Sequence, residues 1–553
     1  MLDEKAAKRS IKHLAALGDT DIFPPPYEFV FYGEECDRIA DAINKLDTSQ
    51  YQPKSCFETL TPKSGLSFRI AHQLYPADTL LYTTAVVQIG PAIEAIRLSS
   101  DEGPFSYRFI DDENEPRLFS ESSSFHDWLS HQKELFGDGG PFSDARHIIE
   151  TDISDFYARV YFHRIEHVLD DCDAPNSARK VIEGIIKFSR ARQSHGLPVG
   201  TSASRLLAEG LLNDTDRMIV ARSDAYTRYV DDFRIVLKLQ SEVHATLCKL
   251  AEHLMLTEGL GLNASKTRTY TSDAAAEIID GKLSDIFNDD ELVKLSQYIR
   301  AVYEEEDVSI EDIEDVDPED LSRKLAEILH RDAVDYTAVR VILKAIRAVL
   351  YPDPVGFVET FSQLLYYTPR DFCILVGAMA QRMPDAAPGI AQKLVDLLAI
   401  PPYQEMAISR IWVAYLFTAQ ALPITQELLS KLGLTHSVIE RRQHLILRGV
   451  LKDRAYFREL KTRFDEASDW EKPALMFGAS CLARGEYSTW LDTIKGHVND
   501  PFSEIYRKWL ISNRENLFEK LKVQFYVKSR IEKMVDKFND IDDLDDDFND
   551  IAP

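Results

Sequence analysis

Two adjacent carboxylates, Asp231 and Asp232, are the residues in this sequence best suited to holding a divalent cation. They follow Tyr229 and Val230 and precede the apolar residues 235–237. Aromatic and β-branched flanks favour strands and an Asp pair favours a turn, so this stretch predicts a tight hairpin. Two acidic side chains on one rigid turn repel each other unless a cation neutralises them. Because so short a string also arises by chance, a metal site needs a third carboxylate and a nucleotide-holding segment upstream.

Asp152 is the candidate for the third carboxylate. Residues 148–157 predict a strand that ends at Asp152 and then turns into a helix. Between this strand and the hairpin lies a loop with Gly196, Pro198 and Gly200, followed by small hydroxyl residues and a helical run. Glycines allow a nucleobase and its sugar to approach the backbone closely. A plain connection between two elements is the simpler alternative for this loop.

Basic side chains between these motifs are candidates for phosphate contacts. Lys187, Arg190 and Arg192 lie on or next to a predicted helix, 176–192, in a chain that is acidic overall. A solvated helix face is the simple interpretation, and the position between the acidic motifs makes contact with nucleic-acid phosphates an equal alternative. Further upstream, Arg108 is either solvated surface or a contact for a triphosphate.

Net charge limits how the chain can bind nucleic acid. Its 64 Lys and Arg residues against 91 Asp and Glu residues give a net charge of −27 at pH 7. A protein that grips long duplexes without sequence preference needs a broad basic surface. Any positive binding surface in this chain must therefore be local.

Cysteine usage and hydropathy predict a cytoplasmic protein without a membrane partner. The six cysteines are scattered without a Cys-x-x-Cys pair, which favours reduced thiols over disulfides or a zinc site. No apolar run is expected to reach the length needed to cross a bilayer, and no signal-peptide core follows Met1.

The predicted elements change character near residue 285. Residues 1–285 mix strands and helices around the acidic motifs, which predicts an α+β domain. Residues 286–538 predict only amphipathic helices with short Pro, Gly or Asp breaks, as in stacked helix pairs, although no fixed-period repeat is present. Residues 539–553 predict an acidic, disordered tail.

The acidic motifs and the glycine loop together resemble a known family. Asp152, the Gly-Leu-Pro-Val-Gly loop at 196–200 and the Tyr-Val-Asp-Asp string occur in the order of motifs A, B and C of reverse transcriptases. Residues 261–267 are similar to motif D. The residues around these motifs, including Ser-Arg-Leu-Leu-Ala-Glu after the loop, are similar to those of abortive-infection (Abi) and other defence-associated prokaryotic reverse transcriptases. The resemblance implies right-hand polymerase fingers and palm, followed by an all-α domain of HEAT-like helical repeats.

The resemblance also implies metal ligands. Asp152 and Asp231 are expected to hold two Mg²⁺ or Mn²⁺ ions, with Asp232 in support because adjacent strand residues face opposite ways. The backbone carbonyl of Ile153 is expected to complete a coordination shell.

Nucleotide contacts are implied in the same way. Tyr157, next to Phe156, matches the steric-gate position that bars a 2′-hydroxyl, so dNTPs are the expected substrates. Lys266 is the expected cation near the leaving pyrophosphate.

Two departures from the family pattern weaken template binding. Val199 stands where many template-copying reverse transcriptases have Gln, and residues 271–280 are acidic where a basic thumb would clamp duplex phosphates. Abi-type relatives are known for untemplated synthesis with the product attached to the protein. We therefore expect an antiphage DNA polymerase that makes single-stranded DNA, primed at one of the 23 tyrosines.

Two alternatives remain open. A templated reverse transcriptase would copy an associated non-coding RNA. A helical-repeat scaffold could instead retain the polymerase core for nucleotide sensing, but it would have no physical need for three clustered carboxylates. The layout of the relatives implies a homo-oligomer, either a trimer or a hexamer.

Overall fold

The computed structural model describes two compact units. The residues it describes are 1–63, 67–189, 194–285, 317–331, 334 and 336–526. The first unit consists of residues 1–61, 68–283 and 435–521. The second consists of the described residues of 62–67, 284–434 and 522–526.

Within the described residues, the strands lie in the N-terminal half of the chain. They are β1 (Phe57–Pro62), β2 (Phe68–Gln73), β3 (His147–Asp152), β4 (Ala225–Tyr229), β5 (Asp232–Leu237) and β6 (Arg268–Tyr270). β1 and β2 form a two-stranded sheet, and the other four form an antiparallel sheet of order β4-β5-β3-β6. The predicted strand ending at Asp152 and the predicted hairpin are thus neighbours at the centre of one sheet.

Twelve helices accompany these strands in the described part of residues 1–285. They are α1 (Glu4–Leu17), α2 (Glu28–Glu34), α3 (Cys36–Lys45), α4 (Pro76–Ile96), α5 (Phe125–Phe136), α6 (Phe156–Arg159), α7 (Phe162–Asp171), α8 (Asn176–Ser189), α9 (Ser202–Leu211), α10 (Asn213–Val220), α11 (Gln240–His253) and α12 (Ser272–Asp285). A π-helix, Leu254–Glu258, follows α11. The apolar helix α4 packs against α1, α8 and α9 and forms the centre of the core.

Helix α4 is long and apolar enough to cross a membrane by length and composition alone. The expectation that no apolar run reaches this length is therefore wrong. Within the first unit, 67% of the apolar window is buried. This burial is that of a core helix, since its side chains pack on other helices of the unit.

Eight further helices form the second unit in the part that the structure describes. They are α13 (Pro318–Leu329), α14 (Tyr336–Ala348), α15 (Pro354–Thr360), α16 (Leu364–Tyr367), α17 (Pro369–Arg382), α18 (Ala387–Leu398), α19 (Ala407–Thr418) and α20 (Gln426–Leu432). Successive helices bury apolar faces such as Ile390 and Leu394 of α18. The buried Phe525 packs in the same unit, where its N–H donates to the side-chain oxygen of Gln381 at 2.8 Å.

The last helices belong to the first unit, which differs from the predicted division at residue 285. They are α21 (Val438–Val450), α22 (Arg454–Leu460), α23 (Glu471–Gly478), α24 (Arg484–Thr493) and α25 (Ser503–Ser512). Aromatic packing joins them to α2, since the ring of Phe31 lies 5.1 Å from that of Tyr506 and 5.4 Å from that of Trp509. A buried ion pair between Arg442 and Glu28, at 2.5 Å, adds a second tie. Past residue 285 the described residues are helical or irregular without a strand, as predicted.

Short 3₁₀-helices and free thiols complete the description. The 3₁₀-helices are Ser100–Glu102, Glu121–Ser123, Pro384–Ala386, Tyr403–Glu405, Lys461–Glu466, Ala479–Cys481 and Glu519–Leu521. All six cysteines are free, as expected, and Cys248 is the exposed one. The predicted tail at 539–553 lies outside the described residues.

Candidate active site

Three carboxylates meet where β3 and the β4–β5 hairpin lie side by side. Asp152 ends β3, Asp232 begins β5, and the two residues are opposite each other in the antiparallel register. Asp231 lies in the turn before β5. Each side chain offers an oxygen within 4.8 Å of those of the other two. The strand rule that separates adjacent side chains does not separate Asp231 from Asp232, because only Asp232 is in a strand.

The hairpin turn has an unusual backbone. Tyr229 pairs with Asp232, so the loop is only Val230 and Asp231. Val230 has φ of +57°, and this left-handed conformation is costly for a β-branched residue. The N–H of Ile153 donates to the carbonyl of Asp231 at 3.1 Å and ties the turn to the end of β3. The metal-binding role of the Ile153 carbonyl stays a prediction.

Electrostatics make this cluster a fit for divalent cations. Burial raises the pKa of the Asp231 carboxyl to about 7, and the charges of Asp232 and Asp152 act in the same direction. A divalent cation would relieve this repulsion, and carboxylate oxygens are the ligands that Mg²⁺ and Mn²⁺ accept.

Two residues of the predicted motif D hold Asp152 directly. The ammonium of Lys266 donates to Oδ2 of Asp152 at 2.6 Å. The side-chain amide of Asn263 donates to Oδ1 of Asp152 at 3.1 Å. The backbone N–H of Asn263 donates to the backbone carbonyl of Asp152 at 2.7 Å. Lys266 thus lies beside the acidic cluster, and its predicted contact with the leaving pyrophosphate stays a prediction. Asn263 was not singled out, although its position three residues before Lys266 in the same motif was a usable signal.

The glycine loop contacts the helix that follows Asp152. The N–H of Leu197 donates to the carbonyl of Tyr157 at 2.8 Å. Phe156 is buried, and its ring lies 5.3 Å from that of the half-buried Tyr157. Gly196 and Gly200 have φ of +102° and +111°, which L-residues rarely adopt.

The loop ends at a capped helix, as the sequence predicted. Pro198 is buried in the loop. The side chain of Thr201 accepts the N–H of Ser204 at 3.1 Å and caps α9. Residues 152–157 therefore connect the carboxylate of Asp152 to Tyr157, the steric-gate candidate, and Tyr157 in turn contacts the glycine loop.

An N-terminal segment, residues 19–22, packs on this loop. Asp19 accepts the N–H of Ser202 at 3.1 Å, and Arg205 pairs with Asp21 at 3.1 Å. A side chain at Gly200 would meet Oγ1 of Thr20 at 2.7 Å. Nothing local in the sequence indicates this contact, because the partners lie about 180 residues apart in the chain.

Arg108, a predicted phosphate contact, binds groups of the protein itself in the described structure. Arg108 pairs with Glu94 and donates to two backbone carbonyls, of Leu98 at 2.8 Å and of Pro104 at 3.0 Å. Its contact with a nucleotide stays a prediction.

The basic helix is only partly described. Lys187 lies over the ring of Phe162, 4.1 Å from its centroid, and pairs with Glu183 at 3.4 Å. Arg190 and Arg192 lie outside the described residues. Phosphate contact by these three side chains stays a prediction.

The chain matches a known family across this site. Residues 122–312 match the family model for reverse transcriptase (RNA-dependent DNA polymerase). The protein contains a reverse transcriptase domain. The matched residues include the three carboxylates, the glycine loop and Lys266, so the enzyme is a nucleotidyltransferase of the RNA-directed DNA polymerase class.

Solved structures similar to the chain include three of telomerase. One is telomerase from Candida albicans with a TWJ fragment of telomeric RNA, at 14% identity and TM-score 0.29, covering 68% of this chain and 67% of that one. The complex from Candida tropicalis has 12% identity and TM-score 0.32, covering 68% and 65%. Apo telomerase from Candida tropicalis has 11% identity and TM-score 0.31, covering 69% and 72%. No curated protein matches the sequence.

Proposed function

We propose that this reverse transcriptase domain makes single-stranded DNA from dNTPs without copying a template, as an antiphage defence enzyme. The observation that carries the proposal is the position of residues 19–22 against the glycine loop, beside an intact carboxylate cluster. The catalytic groups are present, while the chain itself covers part of the loop. The residues in and around the motifs are similar to those of Abi-type enzymes, which supports the defence role.

Each group at the site has a task in nucleotidyl transfer. Divalent cations held by Asp152 and Asp231 would lower the pKa of the attacking hydroxyl and neutralise the triphosphate. Lys266, which lies beside Asp152, would meet negative charge on the leaving pyrophosphate. Tyr157, whose carbonyl accepts from Leu197 of the glycine loop, would exclude a 2′-hydroxyl.

Charge around the loop supports untemplated synthesis. The covering segment brings two carboxylates, Asp19 and Asp21, to the loop, and the second of them pairs with Arg205. A template strand would bring phosphates to the exposed carboxylate of Asp21 and would compete for Arg205. Val199, which carries no polar side chain, offers no group to steady a template base.

Without a template-bound primer strand, the first nucleotide needs another hydroxyl. We propose a tyrosine of this protein, so that the DNA product stays covalently attached. Synthesis then takes place on a cytoplasmic homo-oligomer, a trimer or hexamer, and the helices of the second unit form HEAT-like pairs that support assembly. The succession of short helices from α13 to α20 supports this last point.

The second candidate is an RNA-templated enzyme that copies an associated non-coding RNA. The description of the matching family, RNA-dependent DNA polymerase, favours it. It requires residues 19–22 to leave the glycine loop when template enters. The two candidates therefore differ in whether RNA is needed for synthesis.

One experiment separates them. Purified protein, treated with nucleases and repurified, is incubated with Mg²⁺ and each labelled dNTP in the absence of added nucleic acid. We expect labelled DNA that migrates with the protein after denaturation and is released by protease. The double variant Asp231→Asn/Asp232→Asn is the control and should incorporate nothing. Incorporation that appears only when RNA is restored would support the second candidate and refute the first.

A further inference from the structure

A buried network of charged side chains lies behind the β4–β5 turn and contacts its strained residue from two sides. Val230 donates its N–H to Oγ of Ser106 at 2.8 Å. Its carbonyl accepts from the guanidinium of Arg228 at 2.7 Å. Left-handed Val is unfavourable in isolation, so this conformation persists because its surroundings impose it.

Arg228 is fully buried, and its donors are divided between the turn and two acids. Its Nε and Nη2 bind the two carboxylate oxygens of Asp216, each at 2.7 Å. Nη2 also donates to Glu209 at 3.0 Å. This leaves Nη1, on the same rigid plane, aimed at the carbonyl of Val230. A planar fork held on two carboxylates has little freedom to move away from that carbonyl.

Ser106 forms the other half of the network. Its hydroxyl donates to Glu209 at 2.5 Å while it accepts from Val230. Arg97 neutralises Glu209 further, at 2.8 Å. Ser106, Arg97 and Arg228 are each buried, so these bonds are shielded from water.

This arrangement fixes the direction of the Cα–Cβ bond of Asp231. The carbonyl of Val230 belongs to the same planar peptide as the N–H of Asp231, so a bond to one fixes the other. On the far side, the carbonyl of Asp231 accepts from Ile153. Both peptide planes that flank Asp231 are therefore held, one by Arg228 and one by the end of β3.

We propose that Arg228 and Ser106 are positioning residues for the carboxylate of Asp231, which they orient through the backbone of Val230. The inference rests on the metal-dependent transfer proposed above. It predicts that the network acts on metal affinity and on the chemical step, and that dNTP binding is unaffected when the metal is saturating.

Ser106→Ala is the test because it removes the hydroxyl without leaving a charge unpaired. Its matched control is Ser10→Ala, which removes an equally buried hydroxyl that bonds to the carbonyl of Ala6 within α1. Arg228→Lys is the more severe variant, since an ammonium cannot replace the planar fork. Mn²⁺ binding is followed by electron paramagnetic resonance. Mn²⁺ sites that are lost in Asp231→Asn are assigned to the carboxylate cluster. Steady-state kinetics give kcat and KM for dNTP.

We expect Ser106→Ala to weaken Mn²⁺ binding at the cluster and to lower kcat, each by about tenfold, as for other groups that orient metal ligands. KM for dNTP, measured at saturating Mg²⁺, should stay unchanged, and Ser10→Ala should match the wild type. A folded Ser106→Ala protein with wild-type Mn²⁺ affinity and kcat would overturn this inference but not the proposed metal site. Equal Mn²⁺ binding by the wild type and Asp231→Asn would overturn the metal site, and the inference with it. If Arg228→Lys does not fold, Ser106→Ala still decides.

Discussion

The ammonium of Lys266 lies 2.6 Å from Oδ2 of Asp152. Burial opposes a charge at this position, but the hydrogen bond to Asp152 and the charges of the three carboxylates outweigh it and raise the pKa of Lys266. The lysine thus neutralises part of the cluster in the protein without bound metal. A metal ion and this ammonium compete for the same carboxylate.

Lys266→Met should therefore change metal affinity and rate in opposite directions. Mn²⁺ should bind the cluster more tightly because its competitor is gone. The rate constant kcat should fall by about 100-fold, because a cation that stabilises transition-state charge has been removed. Lys238→Met, which removes an exposed lysine paired with Asp224, is the control for both measurements. Weaker Mn²⁺ binding in Lys266→Met would contradict the competition.

The stability of the metal-free protein should depend on the protonation of Asp231. Its pKa is about 7 in the folded protein, against an ordinary value of 3.8. Between these values the folded state holds a proton that the unfolded state has lost, so stability falls as pH rises from about 4 to about 7. Each pKa unit corresponds to ~1.4 kcal/mol.

Urea unfolding in EDTA at several pH values measures this effect. Asp19 and Asp78 also have pKa values raised to about 7 by burial, so the wild type alone is not diagnostic. We expect Asp231→Asn to show a smaller loss of stability than the wild type over the same pH range. Parallel curves for the two proteins would show that Asp231 does not titrate there. Added Mg²⁺ should stabilise the wild type more at pH 8 than at pH 5.5, and the variant at neither.

Gly200→Ala should loosen the glycine loop. The new side chain would have φ of +111° and would meet Thr20 at 2.7 Å, at a cost of about 1–3 kcal/mol. We expect a lower melting temperature and a higher KM for dNTP. Gly485→Ala is the matched control, because this exposed helical glycine has open space around it and Ala favours helix by up to about 1 kcal/mol. A melting temperature for Gly200→Ala equal to that of the control would refute the close contact.

The ion pair between Arg442 and Glu28 should be needed for the first unit to fold stably. Both side chains are buried, and Arg442→Ala leaves the carboxylate of Glu28 without its partner, at a cost of about 3–5 kcal/mol. The neighbouring Arg441 is more exposed and pairs with Glu471, so Arg441→Ala should cost less than about 1 kcal/mol. Chemical unfolding of the two variants measures the difference. Equal losses would mean that α21 does not pack on α2 as described.

The local parts of the candidate site were predictable from the sequence. A strand ending at Asp152, a tight hairpin turn containing Asp231 and a loop around Gly200 each depend on residues that are close in the chain. Side-chain type and backbone propensity act over such distances, so the pattern of residues predicts them. The grouping of the carboxylates followed from the order of the motifs and was confirmed by the register of β3 and β5.

Contacts between distant segments were decided only by the tertiary structure. The ties from Ser106 to Val230, from Asp19 to Ser202 and from Arg442 to Glu28 each join residues more than 100 positions apart. Apolar residues at helical spacing show that a helix has an apolar face. They do not show which other element packs against that face. The sequence by itself therefore determined which residues could do the chemistry. Packing determined how they are held, because it alone chooses the partners of buried polar groups.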